Sequence, residues 1–465
     1  MSSNTPSLLE NATRTLAEFA AGVQFEDLPP EVVARMKTSM LDSIGCCLFG
    51  VTLPWTQHVQ AMVEAEGARP VASLFGSGRK TSVAGAVLVN GTAGHAFELD
   101  DIHKESIVHA GSIAVPVVLA LAEQRGGASG REVLTAMATG YEIGTRVGNA
   151  ATMSLFFRGF HPQGSSGVFV AAASAARMLA LDAGRMQHAL GIVGSQAGGL
   201  MAAQEGAMVK RFHSGRAAQS GVYSALLAER GFTGISDVLE AGYGGYLSTY
   251  SGQPNAVRLT DGLGTEWETA KVGYKPHACV TSIHSSLDAF KHLVEANGLA
   301  PDDIERVDVG TSLMTFQHCA WTYKAQGVTA AQMNLFYGVA VMAFDGVAFV
   351  AQYAESRLAE PRLLDFIARV HAHVDDEIEA MGAAFRHAAR VKIQTRDGRT
   401  FSHEILNRRG SPENPMTPED VEYKFRNVVA SCLSATRIDQ VVARVDTLER
   451  SDDIGELIGL LAAPH

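Results

Sequence analysis

Ala389-Arg390-Val391-Lys392-Ile393-Gln394-Thr395 alternates apolar and polar residues, and Arg396-Asp397-Gly398-Arg399 separates it from a second strand-like run, Thr400 to Ile405. A period of two suits a half-buried strand, and Asp-Gly between two such runs signals a hairpin. Outward from this pair, Ile304-Glu305-Arg306-Val307-Asp308-Val309-Gly310 and Arg369-Val370-His371-Ala372-His373-Val374 carry the same alternation. Helical stretches, Thr281 to Ala296 and Thr329 to Phe344, lie between them. The segment 266–404 therefore reads as a smaller α+β domain.

On both sides of it the pattern is helical. Apolar positions recur at three- and four-residue spacing in Leu8 to Ala20, Val32 to Phe49, Val133 to Val147, Val168 to Leu181 and Ala217 to Ala228. Pro29-Pro30 opens the second of these, where a missing N–H is harmless. Small residues such as Ala171-Ala172-Ala173-Ser174-Ala175-Ala176 permit close approach of neighbouring backbones. After a Pro/Gly-punctuated linker, Asn407 to Pro415, Thr417-Pro418-Glu419-Asp420 combines an N-cap, a first-turn proline and first-turn acids. Residues 405–465 are expected to rejoin residues 1–265 in one large all-helical domain, with the α+β unit as an insertion.

A chain of 465 residues exceeds one comfortable core, and 46% apolar against 19% charged residues is ample material for burial. Lys and Arg number 38 against 49 acids, a net charge of −11, and no basic run is long enough to track phosphates, so nucleic acid is not expected as a partner. An acidic protein that binds an acidic ligand needs a local cationic pocket, because its global field repels the ligand. The five cysteines, Cys46, Cys47, Cys279, Cys319 and Cys432, are scattered without metal-ligand spacing, and the N-terminus lacks a secretory pattern. A reducing, cytoplasmic home and no membrane span are expected.

Ionisable chemistry concentrates in Gly94-His95-Ala96-Phe97-Glu98-Leu99-Asp100-Asp101-Ile102-His103-Lys104-Glu105-Ser106-Ile107-Val108-His109, between the apolar runs Val83 to Ala93 and Ile113 to Ala122. Such density between two core-type segments suggests groups held at a pocket wall, where burial and neighbours tune their pKa values. A solvated loop leading to a capped helix is the plainer alternative.

Several separated pieces together resemble the MmgE/PrpD family, which includes 2-methylcitrate dehydratase, cis-aconitate decarboxylase and iminodisuccinate epimerase. They are Gly91 to Asp101, His109 with Val115 to Glu123, Gly159-Phe160-His161-Pro162, Lys210 to Ala218, Glu240 to Tyr246, Lys275-Pro276-His277-Ala278-Cys279 and Glu422-Tyr423-Lys424-Phe425-Arg426. The resemblance implies a mainly α fold with an inserted α+β lid: a helical domain from both chain ends, a smaller α/β domain and a cleft where the two meet. It also implies a homodimer, and catalysis on small di- and tricarboxylic acids with neither metal nor organic cofactor.

Family reactions move a proton at a carbon next to a carboxylate, so fixed positive groups must meet the developing enediolate-like charge. Lys210, with His213 and Arg216 nearby in sequence, fits that demand as carboxylate binder and anion stabiliser. Imidazole suits a proton shuttle near neutral pH, and the resemblance places His109 and His161 at functional positions. His161 also precedes a Gly/Ser-rich helix start, a natural carboxylate-binding terminus. Asp101, ahead of Asp100, is expected to orient the imidazoles. The expected catalytic set is thus Asp101, His109, His161 and Lys210, with Glu98, His103, His213, His277 and Tyr337 binding substrate.

The departures from the family pattern are specific. Glu98 stands where many relatives have Asp, Ile102 where the decarboxylase branch has Thr, and Val280 aligns with a decarboxylase histidine. They turn the expectation toward a dehydratase acting on 2-methylcitrate or citrate, with an epimerase or decarboxylase as the alternative. Two readings compete from other classes: Glu98, Asp101, His103 and His109 as metal ligands in a helical hydrolase, and a non-catalytic carboxylate binder.

Overall fold

The computed structural model describes residues 10–464, apart from the Glu205 side chain, and the fold is mainly α. The expected first helix runs Ala12–Gly22, and its predicted start at Leu8 lies outside the described residues. Helices Pro30–Gly50, Gly130–Phe157, Gly167–Met178 and Val209–Glu229 contain the other predicted helical stretches, save that Leu179 to Leu181 trail beyond Gly167–Met178. Val209–Glu229 packs against both Val83–Gly94 and Gly167–Met178. The first contact depends on Gly215: a Cβ there would stand 2.1 Å from the Leu88 carbonyl oxygen, so only glycine lets the two helices touch. That contact sets the start of the Val209–Glu229 helix beside the loop that follows Gly94.

Both chain ends meet. Pro418–Val429 lies on Pro30–Gly50, where Phe425 covers Gly45, and the predicted Thr417–Asp420 capping box is formed. Ala435–Asp446 follows on the same helix.

All four predicted strands are present, as Ile304–Thr311, Val370–Val374, Ala389–Thr395 and Thr400–Ile405. They form one sheet in which Ile304–Thr311 pairs parallel with Val370–Val374 and antiparallel with Ala389–Thr395, which pairs with Thr400–Ile405 across the Asp397-Gly398 turn. Ala389, Val391, Ile393 and Thr395 are buried while Lys392 and Gln394 are exposed, and helix His284–Asn297 covers this sheet region. The expected helix Thr329 to Phe344 is divided into Val328–Gln332 and Leu335–Asp345, because the Asn334 side chain accepts from the Tyr337 amide and caps the second piece.

Two small pairings fall within regions read as helical or left unpatterned. Ala72–Leu74 with Arg79–Thr81 is a hairpin whose strands are too short to show alternation, and Ile102–His103 pairs with Val272–Gly273. The latter stitches the ionisable stretch to the beginning of the sheet-bearing segment. The buried apolar cluster runs continuously from Ala12 through Val307 and Ile393 to Leu461. Among the described residues no helix is long and apolar enough to cross a membrane, and all five cysteines are buried.

Candidate functional site

The stretch 94–109 is not a solvated loop: of its residues only Glu105 is exposed. A buried irregular backbone needs partners for its polar groups, and here they come from distant elements. The Asp101 carboxylate accepts from the Gly111 amide (3.0 Å), Gln332 donates to the Phe97 carbonyl (2.8 Å), and Lys424 donates to the Leu99 carbonyl. Gln163 clamps His109 from both sides, accepting from its amide (2.9 Å) and donating to its carbonyl (3.0 Å). So held, Glu98 and Ile107 adopt positive φ values of 56° and 55°. Such conformations are rare for these residue types and cost on the order of 1–3 kcal/mol each. Both residues face the same pocket.

That pocket is lined by Glu98, Ile102, His109, His161, Lys210 and Lys275, and on the side of the sheet-bearing segment by Val280, His318, Arg386 and His387. Its free volume is about 60 Å³. That is room for a few water molecules, narrow for an organic acid as the side chains stand.

Two polar groupings make the pocket. In the first, Asp100 lies between two imidazoles, 2.7 Å from His95 Nδ1 and 3.4 Å from His109 Nδ1. The row of rings continues, with centroids 4.8 Å apart for His95 and His109, 5.8 Å for His95 and His161, and 5.1 Å for His161 and His213. The Nδ1 atoms of His161 and His213 are 2.8 Å apart, so one ring donates and the other accepts. In the second, Glu98 meets three cations: Lys210, Arg211 (2.6 Å) and Lys275 (3.1 Å). Lys275 Nζ also stands 3.9 Å from Asp100, joining the two groupings.

Burial tunes these groups. It lowers the Lys210 ammonium to about 8, with Glu98 opposing the shift. Burial works against ionised Asp100 and Glu98, but imidazoles on the first and lysines and Arg211 on the second hold both well below the usual carboxylate range. Burial brings His95 down to about 3 despite Asp100, His213 to about 4, and His161 well below its ordinary value. The result is a set of neutral imidazoles beside charged lysines. Three cations face two carboxylates, which leaves room for one more anion.

Of the expected catalytic residues, His109, His161 and Lys210 come together in the pocket. Asp101 does not join them: its carboxyl accepts from Tyr141 Oη at 2.7 Å, and burial raises it to about 8. The carboxylate that orients the imidazoles is its neighbour Asp100. Glu98 lines the pocket as expected, and His213 stands behind His161. The other expected binders lie elsewhere. His103 is held between Ser106 and Glu268, His277 bonds Asp288 at 2.8 Å, and Tyr337 donates to the Gln352 carbonyl at 2.7 Å amid Tyr323 and Tyr353. Arg216 is exposed and bonds Gln219. The amides of Gly164 and Ser165 are satisfied by the His161 carbonyl, so the four-residue helix after His161 offers no free anion-binding turn there.

The metal set Glu98, Asp101, His103 and His109 is likewise dispersed. Among the described residues the ligand atoms that converge are those of His95, Asp100 and His109, all within 4.8 Å, but Lys275 beside them opposes a cation. Sequence reasoning passed over His95, Arg211, Lys275, His318, Arg386 and His387 as site residues. Of these His95, Arg211 and Lys275 carried a signal, each lying within a piece that resembles the family, while His318, Arg386 and His387 carried none.

A mainly α fold with one four-stranded sheet, holding a pocket of neutral imidazoles and buried lysines, is an arrangement that can hold a small organic anion and move protons on it. The chain matches the MmgE/PrpD N-terminal domain over residues 14–258 and the MmgE/PrpD C-terminal domain over residues 277–448. It is 32% identical to a cis-aconitate decarboxylase of Aspergillus terreus over 97% of this chain and 96% of that protein. It is 30% identical to a cis-aconitate decarboxylase-like protein of Aspergillus oryzae over 97% of both, and 26% identical to the human cis-aconitate decarboxylase over 98% and 96%. The chain belongs to the MmgE/PrpD family. Family and relatives together mark it as an enzyme.

Proposed function

We propose that the protein is a lyase that decarboxylates a small unsaturated tricarboxylic acid of the cis-aconitate type. The observation that carries this reading is the convergence of Lys210, Lys275, His109 and His161 on one buried pocket. The similarity over nearly the whole chain to cis-aconitate decarboxylases moves decarboxylation ahead of the dehydration expected from the sequence.

In such a step the bond from the methylene carbon to its carboxylate breaks and carbon dioxide leaves. The electron pair becomes a new double bond, the old double bond shifts to the carbon next to a retained carboxylate, and a proton is delivered there. The carbanion-like charge rests on that retained carboxylate, where Lys210 and Lys275 receive it in a site shielded from water. A substrate carboxylate competes with Glu98 for these ammonium groups. His161, neutral in the unliganded pocket, takes up a proton from solvent as the polyanion binds, and as imidazolium it delivers that proton to the carbanion; His109, positioned by Asp100 and Gln163, lines the same pocket and relays the replacement. Ile102 and Val280 supply apolar wall rather than further donors. The sheet-bearing segment 266–404 acts as the lid whose movement opens the small cavity. A homodimer, no cofactor and a small-acid substrate complete the reading.

Proton NMR in deuterated, chelator-containing buffer with cis-aconitate, citrate, 2-methylcitrate and iminodisuccinate tests it. The expected outcome is gas release from cis-aconitate and a singly deuterated methylene in the product. An alkene formed from citrate or 2-methylcitrate identifies a dehydratase, and deuterium washed into iminodisuccinate identifies an epimerase; either overturns the decarboxylase reading.

A further inference from the structure

We propose that Arg386 and His387, with His318 beside them, form a second carboxylate subsite that selects acids bearing a carboxylate remote from the one held by Lys210 and Lys275. The inference rests on the anion-binding reading above and names which part of the acid each wall recognises. Arg386 and His387 lie just ahead of strand Ala389–Thr395, and the Arg386 carbonyl accepts from Ser312 (2.6 Å) and Thr315 (2.8 Å), the cap and first turn of helix Leu313–Cys319, which fixes the backbone there.

The side chains are less well satisfied than their backbone. Arg386 is 7% exposed and lines the pocket, yet among the described residues its guanidinium donates only to the Lys104 and Ala383 carbonyls. Among the described residues its Nε has no hydrogen-bond partner, and no carboxylate pairs with the guanidinium. His387 is 6% exposed, with Nδ1 likewise unpartnered. A buried guanidinium is ordinarily matched to a carboxylate, through paired charge-assisted hydrogen bonds. The nearby acids are already engaged: Glu413 with Lys104 at 3.1 Å and Glu105 with Arg258 at 2.5 Å. Behind this wall Arg408, 2% exposed and without an ion pair among the described residues, adds positive potential.

The cations around Glu98 form a separate group. Arg386, Arg408, Lys104 and His318 are the charges that hold the His387 imidazole low after burial, whereas His161 responds to Lys210 and the other imidazoles of its row. His318, stacked on Phe156 at 4.8 Å, lines the same pocket and responds to Lys210, which places it between the two groups. An acid whose reacting end lies at the lysines thus meets a second, unmatched cationic wall contributed by the sheet-bearing segment.

Calorimetric titration with two unreactive ligands tests the subsite apart from the chemistry: propane-1,2,3-tricarboxylate, and methylsuccinate, which lacks one terminal carboxylate. The wild-type protein is expected to bind the tricarboxylate at least about 10-fold more tightly, as one charge-assisted contact supplies. Arg386→Gln should weaken the tricarboxylate alone and erase the preference, and Arg386→Lys should keep part of it. His387→Asn, whose smaller change spares the fold if Arg386→Gln does not, should reduce the preference several-fold. Equal binding of the two ligands by wild type, or an undiminished preference in folded Arg386→Gln or His387→Asn, overturns the subsite. An Arg386-dependent preference without gas release from cis-aconitate sinks the decarboxylase reading and leaves the subsite standing; turnover without the preference does the reverse.

Discussion

Asp100 and Asp101 are adjacent, equally buried and chemically identical, yet the backbone sends one to the imidazoles and the other to Tyr141 and the Gly111 amide. No spacing rule distinguishes them, which is why sequence reasoning favoured Asp101. The consequence is measurable. With a folded-state value of about 8 against about 3.9 for an unfolded aspartate, Asp101 binds its proton more strongly in the folded protein. Its contribution to stability is full below about pH 4 and is lost as pH rises toward about 8. Asp101→Asn, which mimics the protonated form, should flatten the decline in unfolding free energy across that window in urea titrations at a series of pH values; an unchanged slope would refute the assignment. Lys210, brought by burial to about 8, must be charged to hold an anion. The rate constant kcat/KM should therefore fall about tenfold per pH unit above roughly 8, and Lys210→Met should lose about 100-fold or more at pH 7. A flat alkaline limb in wild type would remove Lys210 from the reaction.

The strands at 304–311, 370–374, 389–395 and 400–405 were readable because one face of the sheet is covered by helix and the other is wet, so burial wrote its period into the residues. The hairpin at 72–81 is too short to show that signature, and the break at Asn334 depends on a single side-chain cap. The loop after Gly94 was legible as chemistry but not as geometry. Its shape is imposed by partners far along the chain, and a buried polar loop has the composition of a solvated one. Lys275 and His277 illustrate the limit: two residues apart, one reaches Glu98 and the other turns to Asp288. The helix Pro418–Val429 exerts its influence through Lys424, which pairs with Asp42 at 2.7 Å and donates to the Leu99 carbonyl. Lys424→Met should cost about 3–5 kcal/mol by stranding a buried carboxylate. Adding Asp42→Asn should restore most of that stability without restoring kcat, since the Leu99 anchor stays lost. Recovery of both together would show that Lys424 serves stability alone.

Across the whole molecule, the pocket lined by both 94–109 and the sheet-bearing segment has a free volume of about 60 Å³, narrow for a tricarboxylate as it stands. If binding widens it, the ligand redistributes the molecule between an open form and a closed one. Propane-1,2,3-tricarboxylate should slow amide hydrogen exchange in residues 94–109, 275–283 and 383–388 while leaving the hairpin at 72–81 unchanged; uniform slowing, or none, would argue against a hinged closure. The central claim is that lysines and imidazoles from separate parts of the fold act on one carbanion in one pocket. The most direct measurement follows carbon dioxide release and deuterium uptake from cis-aconitate in heavy water, comparing wild type with folded Lys210→Met and His161→Gln. The account predicts one deuterium per product in wild type and a loss of about 100-fold or more in each variant. Turnover at the wild-type rate by either folded variant would contradict it.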